Sequence, residues 1–388
     1  MRESAPRAYA GPAFLSAGFR PFFLLAALWA ALAVPLWLAA YEHGYALPGA
    51  LPAMLWHGHE MIYGFALAAV TGFLLTAIPN WTGRLPLAGA PLAALVALWF
   101  AGRVAMFTNA SAAAALDLAF TIVLIAVVAR ELIAARQPRN LPVLVALGAL
   151  LAGNTLVHLH ALDIAYTAPL GNRIGIATLA ALISMIGGRI VPSFTRNWLA
   201  RVRPALRPPA PLGRVDVLCL AVTVAGLAAW TAAPQARSAS IIAIAGGIAA
   251  AARLSRWRGL ATAREPLLFV LHVGYAWVAI GLALVGINGL LGFAPPGAPV
   301  HALTVGAIGT MTLAVMTRAS LGHTGRPLVA GAGTIAIYAL VTLAALLRVS
   351  APFTGGYMAL LTSLAGIAWI GAFGLFALLY GPILLNRK

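Results

Sequence analysis

Charge is what this chain has least of. Only 9% of its 388 residues are Asp, Glu, Lys or Arg, against a hydrophobic share of 62% and a mean hydropathy of +0.95. A soluble domain carries about 25% charged residues, so a water-soluble fold is excluded. Acid is scarcer still: eight carboxylates stand against 25 cationic side chains, of which one alone, Lys388, is a lysine. The single cysteine, Cys219, excludes an intrachain disulfide, a Cys-x-x-Cys-His haem attachment and a multi-cysteine metal cluster. Gly-rich phosphate loops and Walker patterns are missing, which argues against ATP-driven work. Arg2 and Arg7 precede a full-length apolar run with no short apolar stretch and small-residue cleavage site, so a removable signal is not expected.

What is there is apolar sequence in long runs. A span needs ~20 apolar residues, and in lipid only helices and closed barrels satisfy their own backbone. The runs do not alternate over ~10 residues as barrel strands do, so helices are expected. Twelve are predicted, at 21–41, 58–79, 88–108, 111–130, 141–161, 170–192, 214–233, 239–256, 266–291, 299–318, 327–348 and 355–384. The fold class is therefore all-α, a polytopic membrane protein with about twelve transmembrane helices in one domain over 1–388. With both termini assigned to the cytoplasm, 21 of the 25 cations fall inside and only Arg103, Arg173, Arg237 and Arg348 outside. That asymmetry is the positive-inside pattern. It points to the inner membrane of a bacterium, and it accounts for the net charge of +17 through the lipid bilayer rather than a nucleic-acid partner. The basic, Pro-rich stretch near 196–214 reads as a cytoplasmic linker between two six-helix halves.

Two stretches share a register. His59 leads to Thr82-Gly83-Arg84, and His301 leads at the same spacing to Thr324-Gly325-Arg326, with Gly64/Gly306 and Ala77/Ala319 also matched at the one offset. Helix six adds a third exit: Pro192-Ser193-Phe194-Thr195 parallels Pro79-Asn80-Trp81-Thr82. Exits recurring every fourth helix suggest three arcs of four, an architecture similar to that of the haem-copper oxidases. In those enzymes the second and tenth helices supply the axial histidines of a haem.

Ionisable groups inside a membrane are costly and mark function. His57, His59 and Glu60 on helix two, His158 and His160 on helix five, and His301 on helix ten all fall at outer helix ends. Imidazole is a favoured ligand of haem iron, copper and zinc. The candidate metal ligands are thus His57, His59, His158, His160 and His301. The register match selects His59 and His301 as an axial pair, with His57 the alternative on helix two. Residues i and i+2 lie ~200° apart on a helix, so one member of each His pair is left for a second metal, placed on His158 or His160 with His57. Glu60, at i+3 from His57, and Tyr63, at i+4 from His59, are candidates to orient imidazoles. Arg173 is a candidate propionate partner. Arg103 and Asp117 are expected to form a structural ion pair. At the inner end, His272, Arg189, Arg318 and His323 are expected to cluster. The oxidases carry copper ligands on helices six and seven, and here those helices have no histidine, so a haem-copper centre of the usual kind is not expected.

Longer strings carry a resemblance to one family. Gly18-Phe19-Arg20-Pro21-Phe22-Phe23, Trp56-His57-Gly58-His59-Glu60-Met61, the run from Phe73 to Arg84, Leu271-His272-Val273-Gly274-Tyr275 and the run from His301 to Arg326 resemble the NnrS family of haem- and copper-containing membrane proteins. The resemblance implies a non-covalent b-type haem with copper as a second metal. It also implies an activity toward nitric oxide or nitrosylated iron, in the setting of denitrification or nitrosative stress. An oxidoreductase acting on nitric oxide and a non-catalytic gas or redox sensor both fit, and the residues alone also leave open a twelve-helix secondary transporter. The electron donor is not legible.

Overall fold

The computed structural model describes residues 9–136, 138–295 and 297–387. The inner-side cations Arg2, Arg7 and Lys388 lie outside the described residues. Among the described residues eleven helices are long and apolar enough to cross a membrane: α1 (Phe19–His43), α2 (Ala53–Thr82), α4 (Ala110–Ala134), α5 (Pro138–Ala161), α6 (Ala168–Val202), α7 (Arg214–Ala232), α8 (Arg237–Ser255), α9 (Pro266–Leu291), α10 (Gly297–His323), α11 (Ala332–Phe353) and α12 (Gly355–Leu385). The shorter apolar helix α3 (Ala90–Ala105) completes the twelve. The chain is an all-α, multi-pass membrane protein, and each predicted span has its helix.

From α3 onward each helix packs on its successor, and α12 returns to α1, closing a ring. Three helices, α2, α6 and α10, also meet one another across the middle. They are four apart in the chain, as the recurring exits suggested. Each carries a π-helical stretch: Glu60–Ala66 in α2, Ile183–Gly187 in α6 and Ala302–Gly309 in α10. Such insertions are rare and gather at functional sites. The first and third begin directly after His59 and His301, so the backbone repeats the register that the sequence shows.

The Thr-Gly-Arg triplets end helices. Gly83 and Gly325 both take the left-handed conformation, with φ of 71° and 65°, and the Gly83 amide donates to the Pro79 carbonyl at 2.8 Å. Glycine holds this backbone without a Cβ clash. Helix α6 differs from its expected exit, running through Pro192 to Val202. Pro192 has no amide for the Gly188 carbonyl. Arg253 of α8 donates to that carbonyl at 3.4 Å and to the Ser184 carbonyl at 2.7 Å, so the freed acceptor is not stranded. Between lipid-facing helices no hydrophobic drive exists, and small residues allow close approach instead. A Cβ on Gly226 of α7 would lie 3.0 Å from the Ile242 carbonyl of α8.

Candidate functional site

Helix α2 carries two sites on opposite faces of one turn. His59 points toward α4 and α5, into a buried polar network. Its Nδ1 faces Glu60 Oε1 at 2.9 Å; its Nε2 faces Asp117 Oδ2 at 3.1 Å and Asn154 Oδ1 at 3.0 Å. His158 Nε2 lies 3.0 Å from the same Asp117 oxygen, to which Asn154 Nδ2 donates at 2.7 Å. Arg103 of α3 bridges the two carboxylates, donating to Glu60 Oε2 at 2.6 Å and to Asp117 Oδ1. Trp29 Nε1 of α1 donates to Glu60 Oε2 at 2.7 Å. His59, Glu60 and Asn154 are wholly buried, with Arg103, Asp117 and His158 at 1% exposure.

Both nitrogens of His59 face acceptors. The ring must therefore carry two protons, or one proton on Nδ1 and a cation at Nε2. In the first state imidazolium and guanidinium balance two carboxylates. In the second, Glu60 orients His59 as carboxylates orient metal-bound imidazoles, and His59, Asp117 and His158 offer three ligand atoms within 4.8 Å of one another. With Glu60, Asp117 and Arg103 summing to −1, a monovalent ion restores neutrality. Gly64 makes the network fit: a Cβ there would lie 2.6 Å from Glu60 Oε2 and 2.8 Å from Arg103 Nη1.

His57 points the other way, toward α10. It lines an apolar cavity of about 320 Å³ together with His301, Trp37, Met61, Arg173 and Arg348. Trp37 stacks on the His57 ring with centroids 4.3 Å apart. His57 Nδ1 is buried without a partner. His301 Nδ1 lies 2.5 Å from the Gly297 carbonyl, which keeps the ring proton on Nδ1 and leaves Nε2 unprotonated.

The structure thus splits both i,i+2 pairs, as helix geometry requires, but with other partners than the register match selects. His57, not His59, shares a cavity with His301, and His158 meets His59 rather than His57. Glu60 touches His59, not His57. His160 sits apart at the end of α5 beside Tyr166, with ring centroids 5.2 Å apart. Tyr63 packs 5.5 Å from the His59 ring, but its hydroxyl donates to the Gly171 carbonyl at 2.6 Å. Arg103 and Asp117 pair as expected and do more, tying the network together. At the other end of the bundle, Arg189, Arg318 and His323 line one cavity. His272 does not join them; it is a satisfied core residue, 3.2 Å from Thr195 Oγ1 and 3.0 Å from the Leu268 carbonyl.

Sequence reasoning missed Asn154, Arg348 and the two tryptophans Trp29 and Trp37. A signal for Arg348 existed. Of the four cations on the minority side of the charge bias, Arg103 lies in the network and Arg173 and Arg348 line the cavity. Exceptions to the positive-inside pattern were the pointer. Asn154 had one as well: it is i−4 from His158.

The description "NnrS protein" matches residues 13–388, almost the whole chain. The chain belongs to the NnrS family. Membership makes it a nitric-oxide-related membrane protein. No curated protein matches it at a significant level.

Proposed function

We propose that this NnrS-family protein holds a non-covalent b-type haem in the His57/His301 cavity and a copper ion at His59, Asp117 and His158, and acts on nitric oxide at the bacterial inner membrane with both termini in the cytoplasm. The observation that carries the reading is the pairing of two imidazoles, one with a bare Nε2 and one with an unpartnered ring nitrogen, across one apolar cavity with two arginines. The donor set fits a haem: two imidazoles for the iron, Arg173 and Arg348 for propionates, and apolar walls such as Ile62, Phe65 and Ile308 for the ring. When bound, the haem supplies a one-electron couple and an iron that can ligate nitric oxide.

The two imidazoles are held unequally. The Gly297 carbonyl fixes the His301 ring, whereas no hydrogen bond fixes His57 at Nδ1. With a haem bound, His57 would be the less firmly held of the two imidazoles. The transporter reading is disfavoured by the network itself. Glu60 and Asp117 are both bridged by Arg103, and Asp216 of α7 lies near Arg253 and Arg256, so these three carboxylates are already matched by cations rather than free to couple a proton or sodium ion.

The test is the absorption spectrum and metal content of the purified protein. His57→Ala and His301→Ala should each lose or alter the haem bands, and His59→Ala should keep them. Asp117→Asn and His158→Ala should lose copper. Adding nitric oxide to the reduced protein should shift the haem bands, and with an electron donor supplied its consumption separates an enzyme from a sensor. Full haem retention in both His57→Ala and His301→Ala would overturn the assignment.

A further inference from the structure

The opposite end of the bundle holds a larger cavity, about 490 Å³, between the C-terminal ends of α2, α6 and α10 and the start of α5. Its mouth is cationic: Arg139, Arg189, Arg318 and His323 all line it, with no Asp or Glu among its lining residues. Among the described residues no carboxylate forms an ion pair with any of the three arginines. Arg318 instead lies over the Phe194 ring, 4.3 Å from its centroid. The positive-inside pattern accounts for arginines at this end, but not for three of them around one concavity with no carboxylate in its lining, Glu265 acting on Arg318 from outside it.

The mouth opens onto an apolar extension. A slot of about 100 Å³ shares Phe23, Phe73, Ile186, Ile190 and Val315 with the cationic cavity, and Thr312 is the one side chain with a polar atom in its lining. It runs between the three central helices beside the π-helical stretch of α6. An inorganic anion would use the mouth and leave the slot. A neutral amphiphile would use the slot and leave three arginines without a partner. A ligand with an anionic head and an apolar chain uses both. Guanidinium forks match phosphate oxygens two at a time, and basic pockets between membrane helices on the cytoplasmic side bind anionic headgroups.

We propose that this cavity is a binding site for an anionic phospholipid, its phosphate at Arg139, Arg189 and Arg318 and an acyl chain in the slot between α2, α6 and α10. The slot meets the histidine cavity at Ile308, which lines both, and the proposal does not depend on haem or copper.

Purified full-length protein is delipidated in detergent and reloaded with phosphatidylglycerol or phosphatidylcholine, and the lipid retained is counted by native mass spectrometry. Phosphatidylglycerol should be retained and phosphatidylcholine should not. Arg189→Gln combined with Arg318→Gln should weaken retention roughly twenty-five-fold, at about fivefold for each basic residue lost. Ile190→Trp, which fills the slot and leaves every charge in place, should also lower it. Arg214→Gln, an exposed cation at the start of α7 outside the cavity, should change nothing. An unaltered, monodisperse elution on detergent gel filtration reports that the variants are folded. Equal retention of both lipids, or an unchanged double variant, would overturn the site. Complete displacement by inorganic phosphate, or an Ile190→Trp variant that binds normally, would overturn the lipid and reassign the mouth to a free anion.

Discussion

His57 and His59 are separated by one glycine and live in opposite chemistries. Around His59 the polar atoms converge on one another: both ring nitrogens face acceptors, two carboxylates share one guanidinium, and Asn154 spans the gap between His59 and Asp117, with Arg103 Nε and His158 Nδ1 left buried and unpartnered. Around His57 the matching stops, with a buried ring nitrogen unpartnered and two arginines lining an apolar cavity. Buried polar groups are normally bonded, and an exception calls for a reason. The contrast separates a network whose charged groups largely balance one another from an apolar cavity whose polar groups face no counterpart.

The comparison is broken most severely by removing the shared cation. Arg103→Met leaves Glu60 and Asp117 buried and uncompensated, a loss of about 3–5 kcal/mol. Little folded protein should be recovered, as judged by detergent gel filtration. Recovery at the wild-type level would mean that one carboxylate is protonated and that the network is held less tightly than its geometry implies.

Gly64→Ala is the next largest. Its Cβ meets Glu60, Trp29 and Arg103 at under 3 Å, and overpacking of this kind costs about 1–3 kcal/mol. Thermal unfolding should fall by several degrees and copper should be lost, while the haem bands stay. Loss of haem alone would reverse the assignment of the two sites.

The pair His57→Ala and His59→Ala sharpens the comparison without threatening the fold as much. Each should remove one metal and spare the other, read by spectrum and metal analysis on the same preparation. If either variant loses both metals, the two sites are one unit.

The smallest effect is expected at His272. Thr195→Val removes one hydrogen bond from a buried imidazole that keeps its contact to Leu268, a change of about 1 kcal/mol. Unfolding should shift slightly, with neither metal altered. A large change in either metal would show that His272 belongs to a site after all.

Much of this was legible in the chain. The apolar runs located all twelve helices, because in lipid the backbone has no alternative to bonding itself. The shared register of His59 and His301 was also real, as the π-helical stretches beginning at Glu60 and Ala302 bear out. The inference drawn from it was geometrically inverted. Helices α2, α6 and α10 pack around a common centre, so matched positions on them are related by rotation. The matched positions do not converge, because His59 is turned outward to Asp117 and Asn154 while His301 lines the cavity. A residue that meets His301 must come from the other face of α2, and His57, ~200° from His59, is on it.

What the sequence by itself determined is local and one-dimensional: the membrane class, the helices and their glycine stops. These follow from solvent and backbone chemistry acting residue by residue. Which histidines meet was decided by the tertiary structure alone. A helix states the angle between two of its own side chains but not the azimuth at which it docks, and that azimuth is set by the packing of twelve helices at once. Rotating α2 by half a turn would exchange His57 and His59 between the cavity and the network without altering a single local signal.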